Sequence, residues 1–272
     1  MRKRQNTATN VGMKMTLRLV AAAIAAAFIS VTPAAAVIGG SPDAAHPYVG
    51  VVGFLDSQGH HLGLCSGFLT SPTVFVTAGH CAGPETPGAP TPAFAFIWFG
   101  SGPVDLSSHP DAVGVPVVDP AWNGVVGEHD LGYVQILDSQ FDLSTLGHAT
   151  VAQPGATDPL NGIATKRGQH DVSFTAVGYG AVDISPAGAI DPVVRMAGTV
   201  QLEKLTDTLL QTTASPGNGT GGAATCGGDS GAPVFNGGLV VGIVSGGLKF
   251  CNGKAADFRL DTVEAQDFIP TS

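Results

Sequence analysis

The most informative stretch of the sequence is CGGDSGAPV at residues 226–234, where glycines surround Ser230. Three other stretches carry polar residues that are candidates for chemistry: TAGHC at 77–81, EHDLGYVQIL at 128–137 and IVSGG at 243–247. Each stretch alone is modest evidence, since Asp-Ser-Gly turns are common and a His between small residues is more often structural. Their meaning depends on the rest of the chain and on their order along it.

The composition predicts an all-β protein. Of the 272 residues, 38 are Gly and 19 are Pro, whereas only 12% are charged. Gly, Pro, Asn and Asp separate short runs rich in Val, Ile, Phe and Thr, such as SPTVFVTA at 71–78 and LVVGIVSGG at 239–247. This spacing is typical of antiparallel strands in a sandwich or in barrels. One helix is predicted in DTVEAQDFIP at 261–270, with Asp261 as its N-cap and Glu264 three residues later.

Residues 1–36 have the layout of a secretory signal peptide. They contain no acidic residue, and a basic head precedes an apolar run from Leu19 to Val31 and an Ala-x-Ala end at Ala34 and Ala36. The run is too short for a membrane-spanning helix, which needs roughly 20 apolar residues. The alternative is a buried N-terminal helix, and Met13 or Met15 is an alternative start. The sequence therefore predicts a protein that is secreted and soluble.

The rest of the chain is strongly acidic. Residues 37–272 carry seven Lys and Arg against 21 Asp and Glu, a net charge of about −14. Such a surface repels nucleic acid and anionic membranes. Neither is therefore expected as a partner after export.

All four cysteines lie in the exported part, where disulfides are permitted. Three pairings are possible, and local pairing, Cys65 with Cys81 and Cys226 with Cys251, is the simplest. Each disulfide contributes about 2–4 kcal/mol in the usual model. A metal site is not indicated, because no C-x-x-C or paired-His spacing accompanies the cysteines, and no cofactor is expected.

Taken together and in the order His80, Asp130, Ser230, the four stretches resemble the chymotrypsin-like (trypsin-fold) serine peptidases. The resemblance runs from VIGG at 37–40 to the closing helix, and GDSGAP is its most specific element. It implies two six-stranded antiparallel β-barrels with the active site between them and a C-terminal helix. The implied division is a barrel at 37–152, carrying His80 and Asp130, and a barrel with the terminal helix at 153–272, carrying Ser230.

The resemblance also implies a role for each residue. Ser230 is the expected nucleophile, His80 its base and Asp130 the carboxylate that orients the imidazole, as the chemistry of a weakly nucleophilic hydroxyl requires. The backbone N–H groups of Gly228 and Ser230 are the expected oxyanion hole. The rival G-x-S-x-G elbow is absent, since Ala232 stands at its second glycine.

The VIGG stretch implies an activation pair. In the family a freed α-amino group pairs with the Asp just before the nucleophile, which makes Val37 and Asp229 the expected partners. Because the Ala-x-Ala end directly precedes Val37, one cut after Ala36 would both export the enzyme and create this terminus. The alternative is a cut after Ala34 or Ala35 with later trimming.

Residues that match the family's substrate pocket predict an uncharged substrate side chain before the cleaved bond (P1). The family's pocket base corresponds to Ala224, where an Asp would select Arg or Lys, and IVSGG has Gly246 in place of the usual Trp. The expected pocket residues are Ala224, Thr225, Ser245, Gly246 and Gly247. Asp257 is an alternative source of charge that would restore a basic preference.

The predicted activity is therefore hydrolysis of peptide bonds by a secreted endopeptidase, acting as a monomer on protein or peptide substrates and open to protein protease inhibitors. Two alternatives remain. One is a catalytically silent, protease-like binding protein, and the other is an esterase or a protease with a single target.

Overall fold

The computed structural model describes residues 37–163, 172–180, 193–214, 222–247, 251 and 253–271. The predicted signal peptide at 1–36 lies outside the described residues. Within these ranges, none of the helices is both long and apolar enough to cross a membrane.

The first half of the described chain forms a closed antiparallel barrel. Its strands are β2 (Val49–Leu55), β3 (His61–Ser71), β4 (Val74–Thr77), β5 (Phe94–Trp98), β6 (Ala112–Val118) and β7 (Gly132–Ser139). The pairing order is β2-β3-β4-β7-β6-β5, and β5 closes the barrel on β2. Phe54, Phe68, Phe75 and Ile97 are among the fully buried side chains that fill it. Burying each of them contributes roughly 1.5–3 kcal/mol.

The second barrel is also antiparallel and has six strands. They are β9 (Ser173–Gly178), β10 (Met196–Leu205), β11 (Leu209–Ala214), β12 (Pro233–Asn236), β13 (Leu239–Gly247) and β14 (Gly253–Arg259). The order is β9-β10-β11-β14-β13-β12, and β9 closes the ring because it pairs with both β10 and β12. The predicted fold class of two six-stranded barrels is confirmed.

Two short strands lie outside the rings, and both pair with the second barrel. β1 (Ser41–Pro42) pairs with β10, and β8 (Thr150–Val151) runs parallel to β13. Residues 41–42 therefore precede the first barrel in sequence but are hydrogen-bonded to the second. This pairing brings the segment at 37–42 beside the loop that carries Ser230.

The described part of the chain has two short α-helices, α1 (Gly79–Ala82) after β4 and α2 (Val263–Phe268) near the C-terminus, and two 3-10 turns at Leu143–Leu146 and Asp158–Leu160. The predicted terminal helix is present, but Asp261 as its N-cap was wrong. Thr262 is the cap, and its side chain accepts a hydrogen bond from the Ala265 N–H. Asp261 is buried and instead accepts hydrogen bonds from Arg259 and Thr157. A carboxylate needs such donors once it is removed from water, so it is turned away from the helix end.

Candidate active site

His80 and Asp130 meet because their strands are neighbours. His80 lies in α1 directly after β4, Asp130 precedes β7, and β4 pairs with β7. The Asp130 carboxylate accepts hydrogen bonds from the His80 backbone N–H, at 2.7 Å, and from its Nδ1, at 2.9 Å. Because Nδ1 donates to the carboxylate, the proton is held on that nitrogen and Nε2 is left as the acceptor. This is the arrangement that a general base requires.

Asp130 is completely buried, and a hydroxyl from the second barrel supports its charge. The Ser245 hydroxyl donates to Asp130 Oδ2 and accepts a hydrogen bond from the Gly127 N–H, at 2.8 Å. Ser245 was predicted as a substrate-pocket residue. Its side chain is turned towards Asp130, because the buried carboxylate needs a further donor.

Ser230 and His80 line one cleft of about 230 Å³, together with Leu64 and the Cys65–Cys81 disulfide. Ser230 is brought there by a loop that packs closely on the first barrel. A Cβ on Gly231 would lie 2.3 Å from Thr77 Oγ1, and its φ is +81°, so only glycine fits. The predicted base and nucleophile therefore face the same space from different barrels.

The residues predicted to form the oxyanion hole, Gly228 and Ser230, lie in a tight turn, and Ser230 lines the cleft. The N–H of Asp229 donates to the carbonyl of Cys226, and that of Ala232 donates to the carbonyl of Asp229. Gly228, between them, has a φ of +92°, which a side chain would disfavour. These two hydrogen bonds fix the backbone conformation of the loop that contains both Gly228 and Ser230.

Asp229 is completely buried and surrounded by backbone donors. Its carboxyl accepts hydrogen bonds from the N–H groups of Gly180, at 2.8 Å, Cys226, at 2.9 Å, and Val37. Burial nevertheless raises the pKa of Asp229 to about 7, because backbone dipoles only partly replace water. A Cβ on Gly180 would lie 2.4 Å from this carboxyl. The pocket around Asp229 therefore has room for the carboxyl only because Gly180 has no side chain.

Val37, the other half of the predicted activation pair, is buried beside Asp229. Its side chain packs against Val194, Met196 and Ala223. The following residue, Ile38, accepts a hydrogen bond from the Ala224 N–H at 2.8 Å. The segment that begins at Val37 is thus inserted between the second barrel and the loop before Ser230.

Both predicted disulfides are present, Cys65–Cys81 and Cys226–Cys251. The first joins β3 to α1 beside His80, and the second fastens the start of the Ser230 loop. Within the described ranges, Cys65, His80 and Cys81 form the one group with the spacing of metal ligands. Their sulfurs are bonded to each other, so neither is a thiolate able to bind an ion.

The predicted pocket residues Ala224 and Thr225 are buried, and Ala224 packs against Ala255 and Ile38. Gly247 pairs with Ala255 across β13 and β14. Gly246 leaves open the space that a Trp side chain would take, and Val126 occupies it: a Cβ on Gly246 would lie 2.5 Å from Val126 Cγ1. The loop that precedes Asp130 therefore packs against Gly246.

Asp257 is completely buried on β14, where its Oδ2 accepts a hydrogen bond from Thr212 Oγ1 at 2.9 Å. Its Oδ1 has no hydrogen-bond partner among the described residues. Burial raises the pKa of Asp257 to about 7. A large share of this group is therefore uncharged at neutral pH.

Sequence reasoning missed the contacts of three residues around the site. Val126 lies in the short loop NGVVG at 123–127, and Ser66 follows Cys65 in CSGF at 65–68, where no motif marks either residue. The ring of Trp122 lies 6.4 Å from that of His80, and its Nε1 donates to the carbonyl of Pro84. Only the aromatic type of Trp122 gave a signal of its own.

Comparison with known proteins gives a family and a fold. The family model Trypsin matches residues 37–269. A search of curated proteins finds no match. Among solved structures, a collagenase designated HL is 15% identical, with a TM-score of 0.60 over 83% of this chain and 94% of the collagenase.

Two further structures have the same fold. A protein called GrC is 18% identical, with a TM-score of 0.61 over 83% of this chain and 95% of its own. The scabies mite inactivated protease paralogue S-D1 is 13% identical, with a TM-score of 0.60 over 85% of this chain and 95% of its own. At these identities the likeness shows the fold. Because the family model covers nearly all of the described chain, the protein belongs to the trypsin family and is a serine-type endopeptidase that acts on protein or peptide substrates.

Proposed function

We propose that residues 37–272 form a secreted endopeptidase that cleaves peptide bonds through an acyl-enzyme. The hydrogen bond from His80 Nδ1 to the buried Asp130, with Ser230 in the same cleft as His80, carries this proposal. The proposed division into a barrel at 37–152 and a barrel at 153–272 is supported by the six strands β2 to β7 and the six strands β9 to β14, although the short strands β1 and β8 pair with the second barrel. We base the proposal that the protein is exported on the signal-peptide pattern of residues 1–36.

In the proposed reaction His80 first takes a proton as a base and then returns it as an acid. Ser230 Oγ attacks the scissile carbonyl while His80 Nε2 takes its proton, and the carbonyl oxygen becomes an oxyanion held by the N–H groups of Gly228 and Ser230. The imidazolium then gives its proton to the leaving amine, and an acyl-enzyme remains. Water, deprotonated by His80, releases the acid and restores Ser230. Asp130 stabilises the imidazolium throughout and keeps its own charge.

The proposed P1 preference is for an uncharged side chain. Ala224 has only a methyl group at the position where a carboxylate would select an Arg or Lys side chain of the substrate. It packs with Ala255 in an apolar cluster. Asp257, fully buried beside Thr212 and with a raised pKa, is partly neutral at the working pH. Cleavage profiling on a peptide library with all P1 residues tests this, and strong selection for Arg or Lys would overturn it.

The proposed activation is a single cut after Ala36. The Val37 N–H already donates to Asp229, so cleavage would convert that amide into an ammonium group beside a buried carboxyl. N-terminal sequencing of the secreted protein should give Val-Ile-Gly-Gly. A fully active product that starts upstream of Val37 would refute the proposal.

Labelling with a fluorophosphonate tests the activity itself. The mature protein should be labelled at Ser230, and Ser230→Ala and His80→Ala should not be labelled. A folded wild-type protein that neither reacts nor cleaves any peptide in the library would instead be the silent binding protein. Cleavage of esters without peptides would indicate an esterase.

A further inference from the structure

Ser66 is a buried residue of the first barrel whose polar groups contact the loop of the second barrel that carries Ser230. It lies on β3 and has no exposed surface. Its backbone N–H donates to the carbonyl of Ser230 at 2.8 Å, and its hydroxyl donates to the carbonyl of Gly228 at 2.8 Å. These contacts join residues separated by more than 160 positions in the chain.

The two carbonyls belong to the same two residues whose N–H groups form the proposed oxyanion hole. We propose that Ser66 is a positioning residue that holds the oxyanion hole in its active shape by fixing the carbonyls of Gly228 and Ser230. This inference rests on the proposed function. It adds a residue that contacts neither the substrate nor the reacting atoms.

Gly228 explains why such a restraint matters. Its φ of +92° lies in a region that glycine enters freely and also leaves freely. An oxyanion hole works only if its donors stay about 3 Å from the oxyanion as charge develops. A hydrogen bond to the carbonyl of Gly228 restricts rotation of this residue and therefore the direction of its N–H.

The Ser66 hydroxyl is also linked to the pocket around Asp229. It accepts a hydrogen bond from the Tyr179 N–H at 2.9 Å, and the next residue, Gly180, donates to Asp229. The Tyr179 hydroxyl donates to the carbonyl of Gly100, at 2.6 Å, so the turn is anchored on the first barrel. The Ser66 hydroxyl thus connects the turn around Asp229 to the loop that contains Gly228. It donates one hydrogen bond to that loop and accepts one from that turn.

The test compares Ser66→Ala with wild type in three measurements on the mature protein. We expect kcat on the best library peptide to fall about 10- to 100-fold, less than the 10²–10³ for complete loss of an oxyanion donor, with KM within about twofold. The fluorophosphonate reaction rate at Ser230 should fall by a similar factor. Affinity for phenylboronic acid, whose adduct with Ser230 is tetrahedral, should also fall, whereas that of a cleavage-product peptide should not.

Two further variants separate positioning from loss of a buried hydroxyl. Thr157→Val removes a buried hydroxyl that donates to Asp261 Oδ2 at 2.8 Å, away from the cleft, and should lower the Tm but leave kcat unchanged. Ser66→Thr keeps the hydroxyl and should retain kcat within about threefold.

Each outcome bears on the proposal. If wild type cleaves peptides and folded Ser66→Ala matches its kcat and boronic acid affinity, Ser66 has no positioning role. If folded Ser66→Thr loses kcat while its fluorophosphonate rate falls as far as that of Ser66→Ala, packing and not the hydroxyl is responsible. If wild type itself is inert, the proposed function fails first, which is a distinct result.

Discussion

Three aspartates of this chain, Asp130, Asp229 and Asp257, are completely buried, and their partners differ. Asp130 has an imidazole and a hydroxyl, Asp229 has backbone N–H groups, and Asp257 has one hydroxyl. Burial disfavours the charged form of a carboxyl unless its donors compensate. At the scale of single residues, burial with few compensating donors raises the pKa of Asp229 and of Asp257 to about 7, whereas the partners of Asp130 place it against the imidazole of His80.

Asp130→Asn should lower kcat about 10⁴-fold, because an amide facing Nδ1 favours the tautomer whose Nε2 carries the proton. KM should change little, since Asp130 is not in the substrate cleft. Asp138→Asn, at an exposed position of β7, is the matched control and should behave as wild type. A kcat of Asp130→Asn within tenfold of wild type would contradict the assigned role.

Asp257 should make stability depend on pH in the opposite sense to a salt-bridged carboxylate. Burial raises its pKa from 3.8 to about 7, so between these values the folded protein holds a proton that the unfolded chain has released. The free energy of unfolding should therefore fall as pH rises from 4 to 7, by a few kcal/mol from this group. Asp257→Asn removes this dependence but leaves that of Asp229.

Urea unfolding of wild type and Asp257→Asn at pH 5 and pH 8 measures the effect. The stability of wild type relative to the variant should be greater at pH 5. An equal difference at both pH values would show that Asp257 ionises normally in the folded protein.

At the scale of elements, the loop at 123–127 is docked on β13. The Gly127 N–H donates to Ser245 Oγ at 2.8 Å, and Val126 lies over Gly246. A strand without a side chain at position 246 and a loop with an apolar one therefore fit together. Because Asp130 follows the loop by three residues, this packing also affects the position of the carboxylate.

Gly246→Ala should lower kcat/KM about fivefold or more, since overpacking commonly costs 1–3 kcal/mol. Its added Cβ would meet Val126 Cγ1 at 2.5 Å. Val126→Ala removes that atom, so the double variant should regain the kcat/KM of Val126→Ala alone. Purely additive effects in this double-mutant cycle would show that the two residues do not compete for the same space.

At the scale of the whole molecule, the N-terminal segment connects the two barrels. β1 pairs with β10, and the following Asp43 forms an ion pair with the buried Arg195, at 3.1 Å. Arg195 also donates to the carbonyl of Val49 at the start of the first barrel. Insertion of this segment therefore couples the first barrel, the second barrel and the pocket around Asp229.

A protein that begins at Val37 should be at least about 100-fold more active than one that begins at Ala36, because an ammonium group beside the buried Asp229 carboxylate stabilises its charge more than the neutral Val37 amide does. The free amine, whose ordinary pKa is about 7.7–8.0, pairs with Asp229 as an ion pair only in its protonated form, so kcat/KM should fall as pH rises through the pKa of the amine. A protein that begins at Ile38 is the control. It also has a free amine, but one residue further along the chain, where the amine cannot reach the Asp229 carboxyl. Equal kcat/KM for all three would rule out the pair.

The sequence by itself determined the all-β class and the candidate residues His80, Asp130 and Ser230, because strand periodicity, turn residues and short motifs are local properties. It left three cysteine pairings possible, and the structure decided for Cys65–Cys81 and Cys226–Cys251. Only the tertiary structure decided that Ser66 holds the Gly228 loop, that Val126 fills the space over Gly246, and that Thr262, not Asp261, caps the last helix. These depend on which strands pair, in which register, and on which buried polar group competes for each donor. The contacts of Ser66 with Gly228, of Val126 with Gly246 and of Asp261 with Thr157 join residues more than a hundred positions apart, and no local pattern encodes them.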